Sequence, residues 1–399
     1  MTTEALPRPA ELASLPHSGL SVGEFYSMHF MGALIPLTAG LLVYGWRAAG
    51  TMLLVCGSTA VGVAAWRRIG PRGAQLSYPH SLWLGFLLAM MLPPHLSTDE
   101  AFGSPEAAWY ILPAAGLLLA MLLWVLGGLG AGRIHPVLVA YLIIAALFVH
   151  LIIPHRALKP TRLLLGDVLN GEVPRNVIGE AHYSNSEPWY KRHIDAKGDA
   201  EYSNPASEAL TAYTNDREKL AHRWLPIQSL VRDELPPMED LVFAGHPSPI
   251  GTGSAIAVII GGLFLLYRGL IDFRIPVIII LFDLAGLLIL PTPALLGEHT
   301  QWHWIVSRQP EVGWGTGITF ANYELLASPV LFMAFFLATA PPIRPMSQGA
   351  RVLYAVVAGS GSAALQLYMS VAVGPYVALL LASLLTPALD LWFRPRAVI

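Results

Sequence analysis

Ten apolar stretches, five on either side of one polar insert, constrain this 399-residue chain more than any other feature. They run approximately over residues 27–46, 50–66, 80–94, 108–128, 134–154, 251–267, 274–291, 318–340, 350–370 and 373–393. Most come near the 17–25 apolar residues that a hydrocarbon layer ~30 Å thick demands of a helix. The insert, residues 155–248, holds 11 basic and 14 acidic side chains, half of the chain's 24 Lys and Arg and 26 Asp and Glu. The remainder is almost free of charge, and stretches such as 137–153 and 275–290 are too apolar for a surface facing water. The expectation is an all-α polytopic membrane protein. An N-terminal tail covers 1–26, a first set of five helices 27–154, a soluble insert 155–248 and a second set of five helices 249–399.

Composition agrees and excludes several functions. The apolar fraction is 54% and the charged fraction 13%, against about 45–50% and 25% for soluble domains. A net charge of −2 gives no electrostatic footprint for nucleic acid. The first twenty residues lack an apolar core and do not read as a cleaved signal. The single cysteine, Cys56, excludes an intrachain disulfide and an iron–sulfur cluster or Cys-based zinc site held by this chain alone. It reads as a small apolar filler in the second span.

Arginine placement gives an orientation. With the N-terminus in the cytoplasm, the inner loops and tail carry Arg67, Arg68, Arg72, Arg133, Arg268, Arg274, Arg344, Arg351, Arg394 and Arg396. The short outer loops carry only Arg47 and Arg308. The positive-inside rule therefore places both termini in the cytoplasm of a plasma membrane and the 155–248 insert outside it.

The two halves resemble each other. The third stretch ends GFLLAMMLPP at Pro93 and Pro94, and the eighth ends AFFLATAPP at Pro341 and Pro342. Five spans per half is an odd number, so the second half enters from the opposite side, as an inverted repeat. Short, Pro-terminated segments in matching positions mark where such folds place their site.

Four stretches carry a resemblance to a known family. They are residues 15–48, then LWLGFLLAMMLPP with LGGLGAGRIHPVLVAYLI, then SPIGTGSAIAVIIGGLFLLYRGLIDFRIPV over 248–277, and finally residues 335–396. Their order and spacing are similar to those of the RnfD/NqrB membrane subunits of Rnf and sodium-pumping NADH:quinone oxidoreductase complexes. The resemblance covers about three quarters of the chain. It implies two inverted five-helix repeats, a place among the subunits of an electron-transfer complex, and a flavin, usually FMN esterified to the Thr of an S/D-G-A-T motif after the fifth span. A flavin suits such a complex because its ring takes one or two electrons, while the protein positions it and tunes its potential.

Several positions depart from the family's pattern. No S-G-A-T occurs; Thr161, in Lys-Pro-Thr-Arg, is the positional equivalent, with Thr211 and Thr214 as further candidates. The expectation is FMN or riboflavin held non-covalently, if a flavin is bound. Gly251, Thr252, Gly253 and Ser254 form a second glycine-rich candidate, where exposed N–H groups could receive phosphate or simply allow close helix packing. Gly127, Gly128, Gly130 and Gly132 are the corresponding run in the first half. Tyr78, Thr252 and Ala340 stand where the resemblance implies carboxylates, which argues against a sodium route through this subunit. Asp283, in mid-span, is then the candidate for an ion pathway, or for a structural hydrogen bond to a neighbouring helix. Asp272 beside Arg274 reads as an interfacial ion pair.

The histidines offer no haem spacing within one helix. His29 and His150 lie deepest, and His80, His95, His135 and His155 sit at span ends as interfacial residues. His299 and His303 could share a metal if their loop is helical; with the surrounding tryptophans they read instead as an aromatic belt. The insert mixes Trp189, Tyr190, Tyr202, Tyr213 and Trp224 with its charges and reads as a docking surface for an extracytoplasmic partner. It has no nucleotide or c-type haem signature. Beside the electron-transfer subunit, two alternatives stay open: a solute or ion transporter on the same scaffold, and a redox-silent membrane anchor for peripheral electron carriers.

Overall fold

Residues 22–69, 77–97, 109–126, 134–152, 157–158, 202–203, 205–215, 227–231, 235–296, 299–308, 312–341 and 343–393 are described by the computed structural model. Thr161, the glycines at 127–132, His155, both chain ends and much of the 155–248 insert lie outside them.

A helix occupies every one of the ten apolar stretches. In the first half these are α1 (Val22–Tyr44), α2 (Trp46–Ile69), α3 (Tyr78–Met91), α4 (Ile111–Val125) and α5 (Pro136–Leu147), which continues as one turn over Val149–Ile152. The insert contributes two-residue strands β1 (Ala157–Leu158) and β2 (Tyr202–Ser203), then α6 (Ala206–Asn215) and α7 (Met238–Phe243). The second half has α8 (Ala255–Tyr267), α9 (Arg274–Ile289), the hairpin β3 (Thr292–Leu296) and β4 (His299–His303), α10 (Gly313–Ala327), α11 (Gln348–Tyr368) and α12 (Gly374–Trp392). Gly23–Tyr44, Trp46–Ile69 and Gly374–Trp392 are each long and apolar enough to cross a membrane. A fourth span results if the bent pair Gly313–Ala327 and Val330–Leu337 is counted as one.

Local chemistry sets the breaks. Gly45 alone joins α1 to α2, with φ 57° and its N–H on the Leu41 carbonyl at 2.8 Å; a side chain there would be strained. The eighth stretch, expected as one continuous helix, bends by 61°. Pro329 pushes the residue before it out of the helical region, and Ser328 has ψ 162°. Past the bend, Met333–Leu337 winds as a π-helix.

The second and fourth helices of each half meet over small residues at one spacing. A Cβ on Gly116 of α4 would lie 2.5 Å from the Val55 carbonyl of α2, and one on Gly62 would lie 2.6 Å from the Ala120 Cβ. In the second half, a Cβ on Gly359 of α11 would lie 2.5 Å from the Ile279 carbonyl of α9, and one on Gly286 would lie 2.5 Å from the Ala363 Cβ. Small residues let apolar helices approach backbone to backbone, which is what holds helices together without water to drive them.

The halves join through their first helices. Gly32 of α1 abuts Gly261 and Leu265 of α8, while Gly40 abuts Ile250. Partner numbers fall as those of α1 rise, so the two helices run antiparallel. The last helices also touch: Tyr141 of α5 and Tyr376 of α12 form an edge-on pair at 4.9 Å.

The described part of the insert touches both halves: the Tyr44 hydroxyl of α1 donates to the His246 carbonyl at 3.3 Å and accepts from the Ser248 N–H at 2.9 Å, while α6 packs on the second half. Ala206, Leu210 and Tyr213 of α6 are buried in one cluster with Phe320, Leu367 and Val371, and the Val371 N–H donates to the Thr211 hydroxyl at 3.0 Å. The Tyr323 hydroxyl donates to the Pro236 carbonyl at 2.9 Å.

Candidate functional site

Among the described residues, two places gather unpartnered polar groups from several helices inside the apolar body. The first is a cavity where both halves meet. The N-terminal ends of α1, α3 and α5 bring Phe25, Tyr26, His29, His80, Trp83 and His135, and the Pro-terminated end of the eighth stretch brings Phe336, Ala340 and Pro341. The His29 Nδ1–H donates to the Phe25 carbonyl at 2.9 Å, which leaves Nε2 bare and without a partner. Neither ring nitrogen of His135 has a partner among the described residues, and the His80 ring packs on Tyr26 at 4.9 Å. All three histidines are buried; for His80 and His135 this corrects the expectation of interfacial side chains, while His29 was expected deep. Among the described residues no group of three or more His, Cys, Asp or Glu could hold a metal ion. The cavity measures about 20 Å³, room for roughly one water molecule. The isoalloxazine ring that the resemblance implies does not fit it.

The second place is a buried carboxyl cluster. The Gln366 amide of α11 donates to Asp283 Oδ1 of α9 at 2.7 Å. Glu324 stands on α10, which packs against α9. All three residues are wholly buried. Sequence reasoning gave Asp283 as the lone mid-span carboxylate and passed over Glu324, which stands inside the 318–340 stretch. The rule that singled out Asp283 applied to it equally.

The other sequence candidates divide. The Gly251 N–H donates to the Met90 carbonyl at 2.8 Å, so the Pro-terminated end of the third stretch also meets the opposite half. The Thr252 hydroxyl donates to the Pro249 carbonyl at 3.4 Å. Ser254 caps α8, accepting from the Ala257 N–H at 3.3 Å and donating to the Val242 carbonyl at 3.0 Å. A Cβ on Gly251 would lie 2.7 Å from the Met90 Cβ, so this glycine permits a close approach. The hydroxyls of Thr211 and Thr214 bond to the backbone within α6, and that of Thr211 also accepts from Val371.

Tyr78, Thr252 and Ala340 do not converge. Tyr78 lies under the Arg67 guanidinium at 4.5 Å, Ala340 lines the junction cavity, and Thr252 sits by the far end of α3.

His299 and His303 lie on strand β4, so the helix on which a shared metal was conditional does not form. One further reading is corrected. Asp272 pairs with Arg351, at 3.0 Å, instead of with the Arg274 side chain. Burial pushes the Asp272 carboxyl up, but the Arg274 N–H and the Arg351 guanidinium outweigh it and hold the group below its ordinary value.

Helices of this apolarity, packed on glycine and enclosing polar groups, define a polytopic membrane protein. The profile of the NQR2, RnfD, RnfE family matches residues 12–398, and the chain belongs to that family. It is 25% identical over 394 residues to the D component of the ion-translocating oxidoreductase complex of Halorhodospira halophila, covering 97% of this chain and 95% of that one. Against the component of the same name from Pseudomonas aeruginosa it is 26% identical, covering 98% and 95%. A shorter match, 29% identical over 147 residues, 37% of this chain and 38% of the other, reaches the D component of the Na(+)-translocating ferredoxin:NAD(+) oxidoreductase complex of Acetobacterium woodii.

Proposed function

We propose that this chain is an integral membrane subunit of a multisubunit electron-transfer complex, as its relatives' names describe them. The observation that carries this reading is similarity over nearly the full length of both chains. In this reading the ten apolar stretches are two inverted five-helix repeats. The antiparallel α1 and α8 support it, as does the shared spacing of Val55, Gly62, Gly116 and Ala120 with Ile279, Gly286, Gly359 and Ala363. The other subunits of the complex are its partners, and an extracytoplasmic partner docks on the 155–248 insert. Any flavin is FMN or riboflavin held non-covalently, and sodium does not pass through Tyr78, Thr252 and Ala340. A redox-silent membrane anchor for peripheral electron carriers is the second reading.

The test is purification of the tagged full chain from native membranes in mild detergent. Iron–sulfur and flavin-bearing subunits should accompany it with electron transfer between a low-potential donor and a nicotinamide. A chain that purifies alone while its deletion leaves that activity intact would sink the proposal. Flavin absorbance on the isolated chain separates the first reading from the anchor. Denatured chain should lack a fluorescent flavin band, and a band lost in Thr161→Ala would overturn the non-covalent reading.

Orientation is tested separately. With both termini in the cytoplasm, a cysteine placed at Ser203 should react with an impermeant thiol reagent on whole cells. One at Ser347 should react only after permeabilisation. The reverse pattern would invert the topology.

A further inference from the structure

Three neighbouring helices of the second half hold four buried oxygens that find no donor among the described residues: Asp283 Oδ2, Glu324 Oε1 and Oε2, and Gln366 Oε1. Gln366 is itself wholly buried and already aimed into the cluster by its bond to Asp283 Oδ1. Among the described residues, no Lys, Arg or His forms an ion pair or hydrogen bond with Asp283, Glu324 or Gln366. On α10 the titratable residues are Glu324 and Tyr323, whose hydroxyl is taken by Pro236. On α11, Arg351 is held by Asp272 and stands fifteen residues from Gln366, about 22 Å along a helix. Tyr354 and Tyr368 bond to the carbonyls of Ala338 and Pro291. The segment Val330–Leu337 has no titratable residue.

Packing does not require carboxyls here. By the shared glycine spacing, Asp283 stands four residues after Ile279, as Thr59 stands four after Val55. Thr59 is equally buried, and its hydroxyl is satisfied by the carbonyls of Val55 at 2.7 Å and Gly116 at 3.3 Å. One half of the protein fills this position with a small, satisfied hydroxyl; the other gathers two carboxyls and an amide.

We propose that Asp283, Glu324 and Gln366 form a proton-binding site inside the second half, loaded with at least one proton at neutral pH. Neighbouring carboxyls in an apolar interior cannot both stay ionised. Neutralisation by a hard cation would call for about six oxygens, whereas a proton needs one lone pair and gives the bare oxygens a donor to share. The site lies just inside the cluster formed with α6: Phe320 is one turn outward from Glu324, Leu287 one turn from Asp283, and Leu367 follows Gln366. This inference stands independently of the complex reading.

The test uses the full chain in detergent and dicyclohexylcarbodiimide, which modifies protonated carboxyls in apolar surroundings. Peptide mass spectrometry should find the adduct on Asp283 or Glu324, with labelling falling about tenfold per pH unit above the site's midpoint. The infrared band of a buried protonated carboxyl should be present in wild type and lost in the Asp283→Asn, Glu324→Gln double variant, whose neutral isosteres keep the fold. Absence of that band near neutral pH would overturn the proposal whether or not the reagent enters. Labelling suppressed by sodium at fixed pH would overturn it too, assigning the oxygens to a metal cation.

Discussion

Gly359→Leu is expected to leave little folded protein in the membrane. A Cβ at this position would lie 2.5 Å from the Ile279 carbonyl oxygen and 3.1 Å from the Ile279 Cα. Both atoms are backbone, so no rotamer change can relieve the collision and α9 must move away from α11. Overpacking that side chains can partly absorb already costs about 1–3 kcal/mol, and a bulkier contact against backbone falls at or above that range. Gly116→Leu should act alike in the first half, where a Cβ would lie 2.5 Å from the Val55 carbonyl oxygen. Gly57, with nothing within 4 Å of an added Cβ, is the contrasting site: Gly57→Ala should gain up to about 1 kcal/mol from helix propensity. Size-exclusion profiles and thermal unfolding midpoints in detergent would measure all three. A Gly359→Leu protein that is monodisperse and melts with wild type would show that the contact does not hold the half together.

The helices were legible because a bilayer imposes a length and an apolar composition on each span, and those leave a mark in a single sequence. The bend at Ser328 and Pro329 obeys an equally local rule, although the apolar run conceals it. The glycine pairs are different. A spacing of seven from Val55 to Gly62 and of four from Gly116 to Ala120 carries no message until α2 is known to lie on α4, and only then does its recurrence in the second half stand out. His29, His80 and His135 come from three helices, more than fifty residues apart in each case, so no local signature joins them. Asp272 finds Arg351 across 79 residues, while the nearer Arg274 offers only its backbone N–H. Membership of the family was legible in ordered blocks, and Glu324 was legible by the same rule as Asp283; Gln366 acquires meaning only through the partner that packing gives it.

Leu210→Asp should release α6 from the second half. Leu210 is wholly buried between the helix and the cluster containing Phe320, Leu367 and Val371. Removing a leucine from such a place forfeits about 1.5–3 kcal/mol of burial, and an unpaired carboxylate cannot remain there. The helix therefore lifts and takes Tyr213 with it. At ~3 kcal/mol the undocked population rises about a hundredfold, and chymotryptic cleavage at Tyr213 in the detergent-solubilised chain should accelerate in step when reclosing outpaces cleavage. Thr211→Val deletes the acceptor for the Val371 N–H and should produce a smaller release, about 1–3 kcal/mol for an orphaned buried donor. Ser207→Asp, at a partly exposed position in the first turn, places a negative charge where a helix N-terminus favours it and should leave cleavage unchanged. An insert that stood free of the membrane helices would expose Tyr213 in every variant. Equal cleavage of wild type and Leu210→Asp would therefore mean that α6 does not cap the second half, and would remove the apolar cover from over Glu324 and Gln366.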